Sequence, residues 1–159
     1  MDPAVKRTVL RLVSYGLYIV TARHGEQASG MTVNWLTQAS FEPPLLAMAV
    51  ETVSRTRGLI DASQAFAVNV LDSTQRDLAA QLGRSSAKSP DKFTGVEWQP
   101  GPATGSPVMP AALAWAECRL LGQMPAGDHL LYLAEVVEVG LNREGLPLTL
   151  RDGGFKYAG

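Results

Sequence analysis

The stretch that decides the fold is residues 30–50, which read GMTVNWLTQASFEPPLLAMAV. We predict a strand over 31–38, because β-branched and aromatic residues alternate there with polar ones. One face of that strand would carry the even-numbered residues Thr32, Asn34, Leu36 and Gln38. Residues 41–44 contain two prolines, which donate no backbone hydrogen bond and interrupt a sheet. The apolar run 45–50 predicts the next strand.

The segments around this stretch form short helices and further strands. An N-terminal helix is predicted from the Asp2 cap and from Pro3 at the first helical position. Capping serines predict two more helices, at 54–62 and from Ser73 to Leu82. The remaining predicted strands are 17–23, 65–71, 112–121, 130–140 and 146–150. Polar connectors are predicted between them, at 24–30, 83–90, 100–107 and 122–129.

About seven strands with two or three short helices, in no alternating strand–helix order, predict a mainly β, antiparallel barrel. Closure into a barrel would remove exposed sheet edges. The length of 159 residues suits a single domain over 1–159. Within it we expect an N-terminal helix at 1–14, a mobile loop at 84–92 and a C-terminal tail at 151–159.

Composition excludes several classes of protein. Lys and Arg number 14 against 15 Asp and Glu, and no basic run exceeds Lys6-Arg7, so we expect no nucleic-acid or membrane binding. No apolar run approaches the ~20 residues of a membrane span, and the N-terminus lacks the order of a secretory signal. The single cysteine, Cys118, fits a reducing cytoplasm. With 46% hydrophobic and only 18% charged residues, we expect some apolar surface to be buried against another subunit.

Motifs for catalysis by the protein's own side chains are missing from the sequence. There is no glycine-rich nucleotide loop and no serine nucleophile elbow. The two histidines, His24 and His129, are far apart and have no ligand spacing to Cys118, so we expect no metal site. A reaction would therefore depend on a bound cofactor.

Two segments could hold such a cofactor. Polar and small residues between Met31 and Ser40 could receive a flat heteroaromatic ring, but they also fit an edge strand with solvated side chains. Ser54, Arg55 and Thr56 begin a predicted helix, whose free N–H groups attract a phosphate. An ordinary helix cap with solvated arginines explains this second pattern too.

His129 follows a predicted turn and would project at the rim of the barrel. Its imidazole could donate a proton or a hydrogen bond near neutral pH, although an exposed turn histidine is the simpler reading. We expect Asp128 to accept from nearby backbone N–H groups. Its place next to His129 does not indicate a catalytic triad, because neighbouring side chains in an extended segment point opposite ways. Phe93, at the end of the polar loop, would either cap the site or merely anchor the loop.

Taken in order, these motifs resemble the flavin reductase-like family of FMN-binding split barrels, from about Tyr15 to Leu148. The resemblance rests on residues 30–34, 40–45, 54–56, 66–71, 117–118 and 127–129. It implies a six-stranded split barrel that works as a homodimer, with one flavin in each subunit near the dimer interface.

The resemblance also implies the roles of the site residues. Those lining the isoalloxazine ring and the ribityl chain would be Met31, Thr32, Asn34, Trp35, Ala39 and Ser40. The phosphate would be taken by Ser54, Arg55 and Thr56, and Phe93 would complete the cofactor-binding set. His129 would lie near the nicotinamide and the flavin and would position the reactants.

The implied function is an NAD(P)H-dependent flavin reductase, transferring hydride to a bound or exchangeable FMN, with FAD as the alternative flavin. Two departures from the family leave other functions open. Trp35 stands where many family reductases have a small residue, and residues 34–40 are closer to the reductase-like modules of flavodiiron proteins. Leu150 replaces the usual tyrosine of the substrate-side wall. The alternatives are an FMN-binding electron carrier that passes electrons to a partner protein, and a split barrel for another planar ligand such as haem.

Overall fold

The computed structural model describes residues 1–157, which form three helices and nine strands. The helices are α1 (Pro3–Leu10), α2 (Arg55–Ser63) and α3 (Arg76–Leu82). The main strands are β1 (Tyr18–His24), β2 (Gln27–Val33), β3 (Leu36–Ser40), β4 (Leu45–Glu51), β5 (Ala65–Val70), β8 (Ala114–Ala126) and β9 (His129–Leu141). Two short strands, β6 (Gln99–Pro100) and β7 (Pro107–Val108), form a separate pair.

The seven main strands form one sheet in the order β2-β1-β5-β8-β9-β4-β3, and every pairing is antiparallel. The prediction of a mainly β, antiparallel fold is confirmed. The two outermost strands, β2 and β3, are consecutive in the chain and separated only by Asn34 and Trp35. Because so short a link spans at most about 11 Å, the sheet curls until its two ends come close together.

Both faces of the curled sheet are covered, and β1 shows how the sequence achieves it. Val20 and Ala22 lie in one hydrophobic cluster, whereas Leu17 and Ile19, just before and within β1, lie in a second. This division follows from the alternation of side chains along a strand. Residues of α2 pack in the first cluster and residues of α3 in the second, so the two helices approach β2 from opposite faces.

The strand predicted over 31–38 is wrong. The chain turns tightly at Gly25, whose φ is +58°, and β2 already begins at Gln27. β2 ends at Val33, and β3 begins at Leu36, after the link formed by Asn34 and Trp35. The four even-numbered residues therefore do not share one face. Pairing with β4 explains the break, because the Trp35 carbonyl accepts a hydrogen bond from the Ala49 N–H (2.9 Å).

The connector predicted at 122–129 is also mostly strand. β8 extends to Ala126, and only Gly127 and Asp128 separate it from β9. Beyond Arg119, β8 pairs with β9 alone among the described strands and is an edge strand there, while the facing part of β9 pairs with β4 on its other side. Pro125 is tolerated there because a proline at an edge interrupts no inner ladder of hydrogen bonds.

Three smaller expectations also differ from the structure. The predicted last strand, 146–150, forms only isolated bridges at Pro147 and Thr149. The connector predicted at 100–107 contains β6 and β7 and is held by Glu117, whose buried carboxylate accepts hydrogen bonds from the backbone N–H groups of Ala103 and Thr104 (2.8 Å each). The N-terminal helix predicted over 1–14 ends at Leu10.

The apolar face of α1 is left uncovered. The side chain of Asp2 caps the helix as predicted, with Oδ1 accepting from the N–H groups of Ala4 and Val5. None of the residues of α1 is buried. The exposed apolar side chains within α1 are Val5, Val9 and Leu10, and those just after it are Leu12 and Val13. Because no buried contact stabilises α1, the helix does not continue to residue 14. None of the helices in residues 1–157 has the length and hydropathy needed to span a membrane.

Candidate functional site

A cavity of about 390 Å³ opens where the ends of β2 and β4 meet the start of β9. Its wall is completed by the N-terminus of α2, the C-terminus of α3 with the loop that follows, and residues 155–157. The predicted site residues in this wall are Met31, Thr32, Asn34, Ser54, Arg55 and His129. Segments that were predicted separately are therefore brought together in one site of a size suited to a small ligand.

Asn34 is the polar group of this wall that most needs a ligand. Its side chain is only 7% exposed, and its amide nitrogen Nδ2 is buried without a hydrogen-bond partner in the described chain. An unpaired buried donor costs about 1–3 kcal/mol. A ligand that offers an acceptor inside the cavity would remove that cost.

The N-terminus of α2 forms the anion-binding end of the cavity. Ser54 precedes the helix but does not cap it with its side chain; its hydroxyl instead donates to the sulfur of Met31 (3.2 Å). The first N–H groups of α2 are therefore left without a side-chain acceptor. Arg55 is exposed beside them, and its guanidinium makes one long contact with the Pro90 carbonyl (3.4 Å). This end combines helix donors with a positive charge, as a phosphate site requires.

Thr56 does not face the cavity. It is 1% exposed, and its hydroxyl pairs with that of Ser29 on β2 (2.9 Å). The other end of α2 is held by Asp61, which accepts a hydrogen bond from Tyr132 on β9 (2.7 Å) and pairs with Arg57 (3.6 Å). These contacts fix the orientation of α2, and with it the direction of its free N–H groups.

Another part of the cavity wall, which we call the His129 end, is built around His129, which is 6% exposed. The pairing of β4 with β9 sets His129 directly across from Glu51. Asp128 lies 2.6 Å from Nδ1 of the imidazole, and the hydroxyl of Tyr157 lies 3.1 Å from Nε2. Tyr157 also donates to Oε1 of Glu51 (2.6 Å), and the Trp35 ring lies 4.6 Å from the imidazole between centroids.

The contact between Asp128 and His129 corrects the expectation that these neighbours point apart. Asp128 lies in the two-residue turn, outside the strand alternation, so its carboxylate can reach the adjacent ring. The hydrogen bond with His129 holds the pKa of the Asp128 carboxyl below its usual value. Burial, followed by the hydrogen bond to Glu51, raises the pKa of Tyr157 above its ordinary value.

Further positive charge lines the cavity beyond α3. Arg84 contributes to the wall, and so does Lys92, whose Nζ donates to the carbonyls of Leu82 (2.7 Å) and Arg84 (2.8 Å). These bonds close the loop predicted at 84–92 against the end of α3. Burial lowers the pKa of Lys92. The cavity is therefore cationic at the helix ends, and it is aromatic and acidic around His129.

Four predicted site residues besides Thr56 lie outside this wall. Trp35 borders a second cavity of about 480 Å³ and reaches the site through its ring contacts with His129 and Tyr157. Ala39 and Ser40 lie on β3, which is the edge strand. Phe93 packs against Gly30, where a Cβ atom would lie 2.8 Å from the phenyl ring, and it stacks on Trp98.

The wall residues that were not predicted as site residues include Glu51, Arg84, Lys92 and Tyr157. Strand pairing could have indicated Glu51, had the turn before His129 been recognised as two residues long. The segment 155–157 carries no signal of its own, because its place depends on the folding of the whole tail. The last two residues of the tail predicted at 151–159 lie outside the described residues.

Comparison with known proteins agrees with this geometry. The family model for the flavin reductase like domain matches residues 10–159. The reductase subunit HsaB of a flavin-dependent monooxygenase from Mycobacterium tuberculosis is 35% identical over 136 residues, covering 86% of this chain and 71% of HsaB.

Two solved structures are similar over most of the chain. The NADH:FAD oxidoreductase SgcE6 of Streptomyces globisporus C-1027 superposes with a TM-score of 0.80 and 29% identity, over 94% of this chain and 91% of its own. An FMN-binding protein from Thermus thermophilus gives a TM-score of 0.77 and 26% identity, over 84% of this chain and 74% of its own.

These matches confirm the predicted resemblance and the prediction of a flavin-dependent oxidoreductase. They do not favour the alternatives of an electron carrier without nicotinamide activity or of a haem-binding barrel. The chain belongs to the flavin reductase-like family.

Proposed function

We propose that this flavin reductase binds FMN in the 390 Å³ cavity and reduces it with NADH or NADPH. The observation that carries the proposal is that one cavity contains two unsatisfied sets of donors. One is Asn34 Nδ2, which is buried without a partner, and the other is the N-terminus of α2 beside Arg55, which has no side-chain cap. A flavin nucleotide offers both counterparts, since its ring has carbonyl and nitrogen acceptors and its ribityl chain ends in a phosphate. Bound flavin supplies the hydride-accepting ring that the side chains lack.

The phosphate would be held at the α2 end. The N–H groups that follow Ser54 would donate to its oxygens, and Arg55 would add a charge-assisted hydrogen bond. Thr56 would act indirectly, since its bond to Ser29 fixes the helix that carries those donors. FAD, with a second phosphate, remains the alternative flavin, and Arg84 is suitably charged to face it.

The flavin ring would lie along the β2 end, beside Met31, Thr32 and Asn34. The Thr32 hydroxyl already donates to the Ala79 carbonyl (2.6 Å), so Thr32 would contribute its surface and its backbone, and Asn34 would donate the specific hydrogen bond. Trp35 would support His129 from behind. We assign no contact within one protomer to Ala39 and Ser40, and Phe93 would support the cavity only through Gly30.

His129 would orient the nicotinamide against the flavin. Its ring stands at the cavity wall, and its Nε2 is the atom turned away from Asp128. A hydrogen bond from His129 to the nucleotide would fix its position without requiring a proton transfer, because hydride transfer depends mainly on stacking and distance.

We also propose that residues 1–159 form one split-barrel domain that works as a homodimer in the cytoplasm. The short link between the edge strands supports a sheet curled almost to closure. A second copy would cover the apolar side chains exposed on and after α1 and on the part of β8 beyond Arg119, where Leu121 and Met124 are exposed. The single cysteine, Cys118, is buried and unpaired, as suits a reducing compartment.

As HsaB is a reductase subunit, reduced flavin would pass to a separate monooxygenase.

An anaerobic assay tests the proposed function. Purified protein is mixed with FMN or FAD and then with NADH or NADPH, and the visible absorbance of the oxidised flavin is followed. We expect rapid bleaching with at least one nucleotide and tighter binding of FMN than of riboflavin. Bleaching by dithionite, but by neither nucleotide, would contradict the proposal.

A further inference from the structure

The side chain of Tyr157, which is 38% exposed, covers the His129 end of the cavity. Its hydroxyl has one proton, which it donates to Glu51 Oε1 (2.6 Å), and its oxygen lies within hydrogen-bond distance of Nε2 of His129 (3.1 Å). The Tyr157 ring meets Trp35 edge-on, with 5.5 Å between centroids. Because Asp128 occupies Nδ1, both nitrogens of His129 have internal partners. An incoming ligand can bond to His129 only if Tyr157 moves.

The attachment of Tyr157 is suited to such a movement. The tail before it is fixed by backbone hydrogen bonds from Gly153 to Thr149 (3.0 Å) and from Phe155 to Leu150 (3.2 Å). After Phe155, the described residues 156–157 make no backbone–backbone hydrogen bond, and side-chain contacts alone hold Tyr157. Its ring can therefore leave the site while the tail up to Phe155 stays in place.

The hydroxyl of Tyr157 bridges a donor and an acceptor that a nicotinamide carboxamide could also bridge. Glu51 and His129 face each other across the β4–β9 pairing, one with a carboxylate acceptor and the other with the ring nitrogen Nε2. A carboxamide has an NH₂ group for the carboxylate, and it can meet Nε2 with its second N–H when the ring nitrogen accepts, or with its carbonyl oxygen when the ring nitrogen donates. Tyr157 therefore occupies the polar contacts that would recognise this group.

We propose that Tyr157 is an internal competitor of the nicotinamide nucleotide, held on His129 and Glu51 at rest and displaced by the carboxamide. This inference rests on the proposed function and adds a residue that sets the apparent affinity for the nucleotide. Affinity is reduced by the fraction of molecules in which Tyr157 occupies the site. The described groups that surround its hydroxyl are Glu51, Asp128, His129 and Trp35.

The contact is tested first in the flavin-free protein. The chain has only two histidines, so ¹⁵N NMR resolves His129 from the exposed His24. In Tyr157→Phe, which keeps the ring and removes the hydroxyl, we expect the Nε2 resonance of His129 to shift while that of His24 does not. The matched control is Tyr18→Phe, since the Tyr18 hydroxyl makes no hydrogen bond within the described chain, and it should leave both histidines unchanged. An unchanged His129 resonance in Tyr157→Phe would overturn the proposal.

The competition is tested by nucleotide binding. We expect NAD⁺ or NADP⁺ to bind flavin-free Tyr157→Phe about three- to tenfold more tightly than the wild-type protein by calorimetry, the effect of losing one or two ordinary hydrogen bonds. In the FMN-loaded enzyme, KM for the reduced nucleotide should fall by a similar factor while kcat is maintained. An equal or weaker affinity in Tyr157→Phe would contradict competition. Failure of the wild-type protein to bind FMN would instead contradict the proposed function, and the flavin-free measurements would still decide the role of Tyr157.

Discussion

The two ends of the cavity differ in how their polar groups are satisfied. At the α2 end, the first N–H groups of the helix have no side-chain cap and Arg55 makes only one long contact, and Asn34 Nδ2 in the cavity wall is also unpaired. At the other end, His129, Glu51, Asp128 and Tyr157 already bond to one another. One end is therefore prepared to bind without rearrangement, whereas the other has to open. Cofactor affinity and nucleotide reactivity should respond to different substitutions.

The sharpest way to break this comparison is to remove His129. We expect His129→Ala to lower kcat/KM for NADH or NADPH by about 10- to 100-fold, because it loses a hydrogen bond that orients the nucleotide. The dissociation constant for FMN should change by no more than about twofold, since His129 is not one of the residues proposed to hold the phosphate. Stopped-flow bleaching and a fluorescence titration measure the two quantities. His24→Ala is the control, and a comparable loss of FMN affinity in His129→Ala would show that the two ends are not separate.

Substitution of Asn34 tests whether its unpaired amide group binds the flavin. We expect Asn34→Ala to weaken FMN binding about tenfold, the effect of losing one hydrogen bond in a buried site. The flavin-free Asn34→Ala variant should lose little resistance to urea relative to the wild-type protein. The reason is that Nδ2 of Asn34 has no hydrogen-bond partner to lose. A large loss of stability without any change in FMN affinity would assign Asn34 a purely structural role.

Thr56 sharpens the distinction between binding a phosphate and supporting the helix that binds it. Thr56→Val leaves the Ser29 hydroxyl buried without its partner, so the free energy of unfolding should fall by about 1–3 kcal/mol. Affinity for FMN should fall by less than about threefold. Adding Ser29→Ala should restore much of the stability, because both polar partners are then removed. If Thr56→Val instead weakens FMN binding as much as Arg55→Ala does, Thr56 contacts the phosphate directly.

The smallest expected effect concerns Asp128 and pH. Its hydrogen bond with His129 lowers the pKa of the Asp128 carboxyl in the folded protein, so its contribution to stability is present above the ordinary Asp pKa. That contribution is lost as pH falls through the lowered value. Asp128→Asn should therefore be slightly less stable to urea than the wild-type protein at pH 7, with the difference shrinking towards pH 3. A difference that grows on acidification would contradict the sign of the shift.

The sequence was sufficient for the fold class, because alternation and turn residues are local signals. It placed Ser54 and Arg55 at a helix start and identified His129, and these residues meet in the cavity. The same local reasoning failed at Asn34 and Trp35. The redirection of the chain there depends on a hydrogen bond to Ala49 of β4, which no pattern in residues 31–38 encodes.

Residues that reach the site through long-range folding were the ones missed. Tyr157 arrives because the tail folds back on Thr149 and Leu150, and Glu51 faces His129 because of strand register. Thr56 shows the opposite error. It stands next to Arg55 in the sequence, but one step along a helix turns a side chain by about 100°, which here directs it to Ser29.

The most direct test of the central claim compares FMN with riboflavin, which lacks the phosphate, in the wild-type protein and in Arg55→Ala. Arg11→Ala, an exposed arginine in the N-terminal segment, controls for net charge. Dissociation constants are measured by fluorescence titration at one ionic strength. The account predicts that Arg55→Ala weakens FMN binding about tenfold or more and leaves riboflavin binding unchanged. Equal losses for both ligands, or no loss for either, would contradict the assignment of the α2 end as the phosphate site.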